Sequence, residues 1–155
     1  MAKQRQLGIT ILAVALIGLT VGCSQDQATE VQEVTFDQLC TNPDQYNSSY
    51  VTIEGFYFHG FEVIVLSDKL EYSGYAEGHL APRGRMLWIE GEIPEEVHDQ
   101  LYQQTMMGPE ECYGKVRLKG KFEYGGKYGH AGGYSSQIIP SEIELLEWSP
   151  VPMQQ

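Results

Sequence analysis

From residue 34 to residue 150 the sequence predicts a mainly β domain, five strands with one helix between the third and fourth and a short helix ahead of the first. Three observations predict it. Apolar and polar residues alternate with a period of two over Tyr50–Phe58, and the same pattern returns over Val116–Phe122. Between strand-like segments, Pro94-Glu95-Glu96 carries the signature of a helix start, a proline at the first turn and acids near the positive end of the dipole. Hydrophobic residues make up 42% of the chain and aromatic residues 11%, much of it tyrosine, which suits a folded domain and not a disordered one.

In chain order, Thr35-Phe36-Asp37-Gln38 has the spacing of a capping box, with Thr35 at the N-cap and Gln38 three residues on. The short helix that follows takes in Leu39 and Cys40 and is stopped by Asn42-Pro43. The first strand, Tyr50–Phe58, puts Val51, Ile53, Gly55 and Tyr57 on one face and Thr52, Glu54 and Phe56 on the other. His59-Gly60 reads as a tight turn into Phe61–Leu66, whose run Val63-Ile64-Val65-Leu66 is apolar on both faces, as a central buried strand requires. Residues 67–85 contain Gly74, Gly78, Pro82 and Gly84 without steady alternation and read as a long loop. Met86–Glu90 is the third strand. The helix from Pro94 buries one stripe through Val97 and Leu101 and ends at Gly108-Pro109.

The fourth strand repeats the first. Val116-Arg117-Leu118-Lys119-Gly120-Lys121-Phe122 aligns with Val51-Thr52-Ile53-Glu54-Gly55-Phe56-Tyr57, with an interior glycine at the same point in each. A glycine there weakens a strand unless the strand bends sharply or another backbone comes close. Gly125–Gly133 reads as a flexible loop, and Gln137–Trp148, with Ile143 and Leu145 set between Glu142, Glu144 and Glu147, as the fifth strand. Pro150 and Pro152 close the domain.

Five strands with a helix between the third and fourth is the element order of the OB-fold, a Greek-key barrel. An SH3-like barrel or a small β-sandwich is the alternative, and neither needs the Pro94 helix. The segments Asn42-Pro43-Asp44-Gln45-Tyr46, Val51-x-Ile53-x-Gly55, Val116-x-Leu118-x-Gly120 and Gly129-His130-Ala131-Gly132-Gly133-Tyr134-Ser135 resemble a scattered group of small bacterial exported OB-fold-like lipoproteins of uncharacterised function. The glycine-lysine that usually precedes the first strand in that group is Ser48-Ser49 here, while Gly114-Lys115 keeps it before the fourth. The resemblance spans residues 36–148, implies the fold and brings no activity with it.

The N-terminus predicts an address. Lys3 and Arg5, the uncharged run Leu7–Gly22 and the small residues before Cys23 form a lipoprotein signal peptide over 1–22. The run is short for a bilayer core of ~30 Å, which needs about 20 residues, so a plain transmembrane helix fits less well. Cys23 would then be the acylated first residue of the mature chain, followed over 23–33 by a flexible tether, then the domain over 34–150 and a tail over 151–155. Ser24 after the cysteine, where an aspartate would favour retention in the inner membrane, points by resemblance to Gram-negative lipoproteins to the periplasmic face of the outer membrane. Removing residues 1–22 leaves eight basic residues against 21 acidic ones. That excess of negative charge argues against nucleic acid as a partner, although OB-folds often bind it.

Cys40 and Cys112 remain as an even pair in an oxidising compartment, either bridged or present as two buried thiols. OB-fold ligands sit against the second and third strands and the loops joining strands one to two and four to five. His59 and Phe61 fall in the first loop, Tyr128 and His130 in the second, with Trp88, Tyr124 and Tyr134 nearby, and together they are the candidate ligand-binding residues. His59 and His130 would face one mouth. No His-x-x-x-His or Cys-x-x-Cys spacing marks a metal site, and no cofactor is expected. Lys115, Arg117, Lys119 and Lys121 form a basic stripe, read as a solvated face whose charges meet carboxylates such as Glu54 or Glu144 across the sheet. Ser48-Ser49 and Ser135-Ser136 lack a nucleophile elbow. The expectation is a membrane-anchored, non-catalytic binding domain for an envelope protein or small ligand, with an exported hydrolase or a metal-binding envelope protein as alternatives.

Overall fold

The computed structural model describes residues 31–105 and 108–150; the predicted signal segment, Cys23, the tether up to residue 30 and the 151–155 tail lie outside the described residues. The chain is mainly β. The first element among the described residues is β1 (Gln32–Val34), which pairs in parallel with Val51–Ile53. The domain therefore begins within the segment expected to be tether. Only Val34 of the three is buried, so hydrogen bonding to a neighbour, invisible in a side-chain pattern, makes this strand.

The capping box closes as its spacing requires: the Gln38 amide donates to Thr35 Oγ1 (3.3 Å) and the Thr35 amide to Gln38 Oε1 (2.8 Å). It opens α1 (Phe36–Thr41), which buries Phe36 and Leu39. Pro43 does not only stop that helix; it starts a further single turn, α2 (Pro43–Tyr46), whose Tyr46 is buried.

Five long strands follow, β2, β3 and β4 as an antiparallel meander and β6 and β7 as a hairpin. β2 (Tyr50–Gly60) keeps its predicted faces, with Val51, Ile53, Gly55 and Tyr57 buried. The turn lies two residues later than expected. Gly60 pairs with Val63, leaving Phe61-Glu62 at the tip, and Glu62 takes a left-handed φ of 59°. β3 (Val63–Tyr72) and β4 (Leu80–Ile89) then occupy most of the segment expected to be a long loop. The pattern misleads there because the ladder is interrupted between Ser67 and Lys69. Asp68 Oδ1 accepts the Arg85 amide at 2.9 Å, and Gly84, at φ 74°, leaves room for that carboxylate. A bulge of this kind shifts which side chains face inward and so breaks the period of two.

The helix expected from Pro94 to Gly108 is one turn, α3 (Glu95–His98), capped by Pro94. Leu101 is buried beyond its end, and β5 (Tyr102–Gln104) then pairs with Glu111–Tyr113. β6 (Glu111–Tyr128) is longer than predicted at both ends and absorbs half of the glycine loop; the rest is a 3-10 turn, His130–Gly132. β7 (Tyr134–Leu145) starts three residues before the expected strand and stops short of Trp148.

Neighbours in the sheet run β1-β2-β3-β4-β7-β6-β5, and β2 also pairs with β6. Hydrogen bonding thus passes from β2 through β3, β4, β7 and β6 and returns to β2. Within this circuit only β4–β7 is parallel. The two repeated segments are partners: Val51 faces Gly120 and Gly55 faces Val116. Ile53, Leu66, Leu87, Ile89, Leu118, Phe122 and Ile138 are fully buried, with Leu39 of α1 packed among them. Among the described residues, no helix is long and apolar enough to cross a membrane.

Candidate functional site

The β2–β3 hairpin tip and the β6–β7 connection meet at one end of the sheet. His130 Nε2 lies 3.4 Å from Glu62 Oε2, both side chains about half exposed. Beside them, Trp88 of β4 and Tyr134 of β7 set their rings 5.5 Å apart at 42°. Gly129 permits this approach: at φ 68° it follows a path other residues avoid, and a Cβ there would stand 2.5 Å from Trp88 Cε3 and 2.8 Å from Tyr134 Cδ2. Trp88 Nε1 donates to Glu90 Oε2 at 3.0 Å, which fixes the indole edge. Tyr128 is in register with Tyr134, and Phe61, at the hairpin tip, is 67% exposed. Burial pushes the Tyr134 phenol above its ordinary pKa, so it remains a neutral hydrogen-bonding group at any physiological pH.

Two expected members stand apart. Tyr124 packs against the main core and, with Cys40, Pro43 and Ser136, borders a separate cavity of about 240 Å³. His59 is in β2 and not in the loop; its register partners are Ile64 and Cys112. It does not join His130 at a common mouth. His59, His98 of α3 and Cys112 of β6 instead place their donor atoms within 4.8 Å of one another. Burial, then the neighbouring His98, lowers the His59 pKa and favours the neutral ring. Burial, then Glu110, pushes the Cys112 thiol up to about 11. Cys40 and Cys112 are both free, Cys40 exposed and Cys112 buried, so the pair is unbridged.

A third polar cluster was invisible in the sequence. Ser73 Oγ is 2.8 Å from His79 Nδ1, and His79 Nε2 is 2.8 Å from Glu111 Oε2, a carboxylate oxygen that also accepts Gln104 Nε2 at 2.7 Å. Gln104 in turn grips the Leu80 main chain at both its amide and its carbonyl. The order serine–histidine–carboxylate resembles a relay for nucleophilic catalysis. Here Ser73 Oγ also accepts the Tyr75 amide at 3.1 Å, and the line ties the β3–β4 turn to β5 and β6. His79 and Glu111 are 32 positions apart, and no local spacing announces them.

Three of the four basic side chains of the stripe meet carboxylates, Arg117 and Lys119 across the sheet and Lys121 along its own strand. Arg117 bridges Glu54 (2.7 Å) and Glu144 (2.9 Å), Lys119 meets Glu142, and Lys121 meets Glu123 at 2.8 Å. An open cleft of about 650 Å³ is lined by four carboxylates (Glu33, Asp37, Glu54 and Asp68) with Arg85 and Arg117 among them. Both arginines are already paired, Arg85 with Asp37 at 2.8 Å.

No protein-family model, curated protein or solved structure matches the chain.

Proposed function

We propose that this chain is a lipid-anchored bacterial envelope protein whose OB-fold-like domain is a non-catalytic binding module, working from the Trp88–Tyr134 end. The circuit of five strands with β4 and β7 in parallel supports an OB-fold, as does the helical turn between β4 and β6. β1 and β5 are short additions to it. The lipoprotein signal ending at Cys23 supports acylation there and a place on the periplasmic face of the outer membrane. Because pairing begins at Gln32, only residues 24–31 separate Cys23 from the sheet, and eight extended residues reach about 27 Å. The domain thus works close to the bilayer surface.

The observation that carries the binding reading is the aromatic pair seated beneath two connections that Glu62 and His130 draw together. Rings held by packing and a fixed indole edge offer rigid contact area at little entropic cost. The pairing of Arg117, Lys119 and Lys121 with carboxylates, together with the acidic balance, argues for an envelope protein or small ligand and against nucleic acid.

A photo-activatable phenylalanine analogue at position 61, irradiated in intact cells, tests this reading. The same analogue at Tyr75, which is 78% exposed on the other hairpin, is the control. The account expects adducts from position 61 that Trp88→Ala with Tyr134→Ala removes; adducts no richer than those from position 75 would contradict it.

The rival reading, an exported hydrolase, has one observation in its favour, the Ser73–His79–Glu111 line. Labelling of Ser73 by a fluorophosphonate probe would favour the hydrolase; an unlabelled Ser73 favours the binder.

A further inference from the structure

We propose that His59, His98 and Cys112 form a binding site for a borderline-soft transition-metal cation, zinc(II) or copper(I). Three elements distant in sequence supply it. The β2–β6 ladder sets His59 directly opposite Cys112, and the single turn of α3 brings His98 to the same place. The donor atoms, two imidazole nitrogens and a sulfur, lie within 4.8 Å of one another.

The donor set chooses the cation. Calcium and magnesium demand oxygen ligands, whereas thiolate with imidazole suits zinc and copper(I). In a tetrahedral zinc site, Zn–N near 2.0 Å and Zn–S near 2.3 Å put the donors about 3.3–3.6 Å apart. The present cluster, within 4.8 Å, closes to that spacing on loading. His98 is the member free to close it, since it is 43% exposed and rides on one helical turn, while Cys112 is 5% exposed and held by strands on either side. Three protein ligands leave one coordination position, on the side where His98 meets solvent. A zinc site with such an open position takes water or an incoming ligand. Loading displaces the Cys112 thiol proton to solvent and uses both imidazoles in their neutral form.

The test uses the full chain with Cys23→Ser and Cys40→Ser, reduced, so that Cys112 is the sole thiol. Cobalt(II) serves as the optical probe, with zinc(II) and copper(I) titrated separately against chromophoric chelators. The proposal expects one equivalent of zinc or copper(I), and a near-ultraviolet thiolate-to-cobalt absorption that vanishes in Cys112→Ser. Because Cys112 is buried, His98→Gln provides a second, surface variant. It should weaken binding by more than about 10-fold, the scale on which even outer-shell partners act. Binding of zinc alone or of copper(I) alone supports the site and identifies its cation. Three results would overturn it: neither ion bound more tightly than about 10 μM, a cobalt complex without thiolate absorption, or an affinity unchanged by His98→Gln.

Discussion

Gly120 lies so close to Ile139 that a Cβ on it would stand 2.3 Å from the Ile139 carbonyl oxygen. The contact falls where the β6–β7 register shifts between Lys119 and Gly120, so glycine here permits one backbone to cross close to another. A methyl group has no flexible neighbour to push aside. Gly120→Ala should therefore cost about 1–3 kcal/mol, as overpacking in a core does. Urea unfolding followed by far-ultraviolet circular dichroism measures this, and an unchanged midpoint would show that the strands can part without cost.

That glycine was legible because it recurs: Gly55 and Gly120 occupy matching points in two similar strands, and the fold pairs those strands. The Thr35–Gln38 capping box and the buried face of β2 are legible for a different reason, since each is written within a few residues. What escaped depends on distance or on the main chain. β1 has almost no apolar pattern, and the bulge at Asp68 and Gly84 resets alternation inside β3 and β4. Of the seven candidate residues, Trp88 and Tyr134 lie together against Gly129, next to His130 in the chain, while Tyr124 and His59 stand apart. His59 lies in β2 because the hairpin turns two residues beyond His59-Gly60, and its partners His98 and Cys112 meet it only through the tertiary fold.

Glu111 is the hub of the network that holds the β3–β4 turn. Removing its carboxylate in Glu111→Ala leaves the buried His79 Nε2 without its partner, while Gln104 Nε2 keeps the Leu80 carbonyl, at about 1–3 kcal/mol for one unsatisfied buried polar group. Hydrogen exchange should quicken at Leu80, whose amide is held by Gln104. Protection at Leu80 equal to that of the wild type would mean the turn is held by other contacts.

Glu123 makes the fold acid-sensitive. Hydrogen bonds from Lys121 and then Gln137 hold its carboxyl below the ordinary value of 4.5. The folded state therefore binds fewer protons than the unfolded state, and this contribution is present above about pH 4.5 and lost as the pH falls through the folded value. Glu123→Gln should flatten the acid limb of a stability profile below that pH while leaving the neutral region nearly parallel. An acid limb of unchanged slope would contradict the assignment.

Arg117 bridges two exposed carboxylates, an arrangement that salt screens. Arg117→Ala should lower the unfolding midpoint slightly at low ionic strength, and the difference from wild type should vanish in concentrated sodium chloride. A difference that persists in high salt would point to packing of the arginine stem instead.

Mass spectrometry of the N-terminal peptide from native membranes tests most directly the proposal that the binding domain is held at a membrane by its first mature residue. The prediction is a chain beginning at Cys23 with acyl groups attached, lost from the membrane fraction in Cys23→Ser. A mature protein that retains an unmodified Met1 would contradict it.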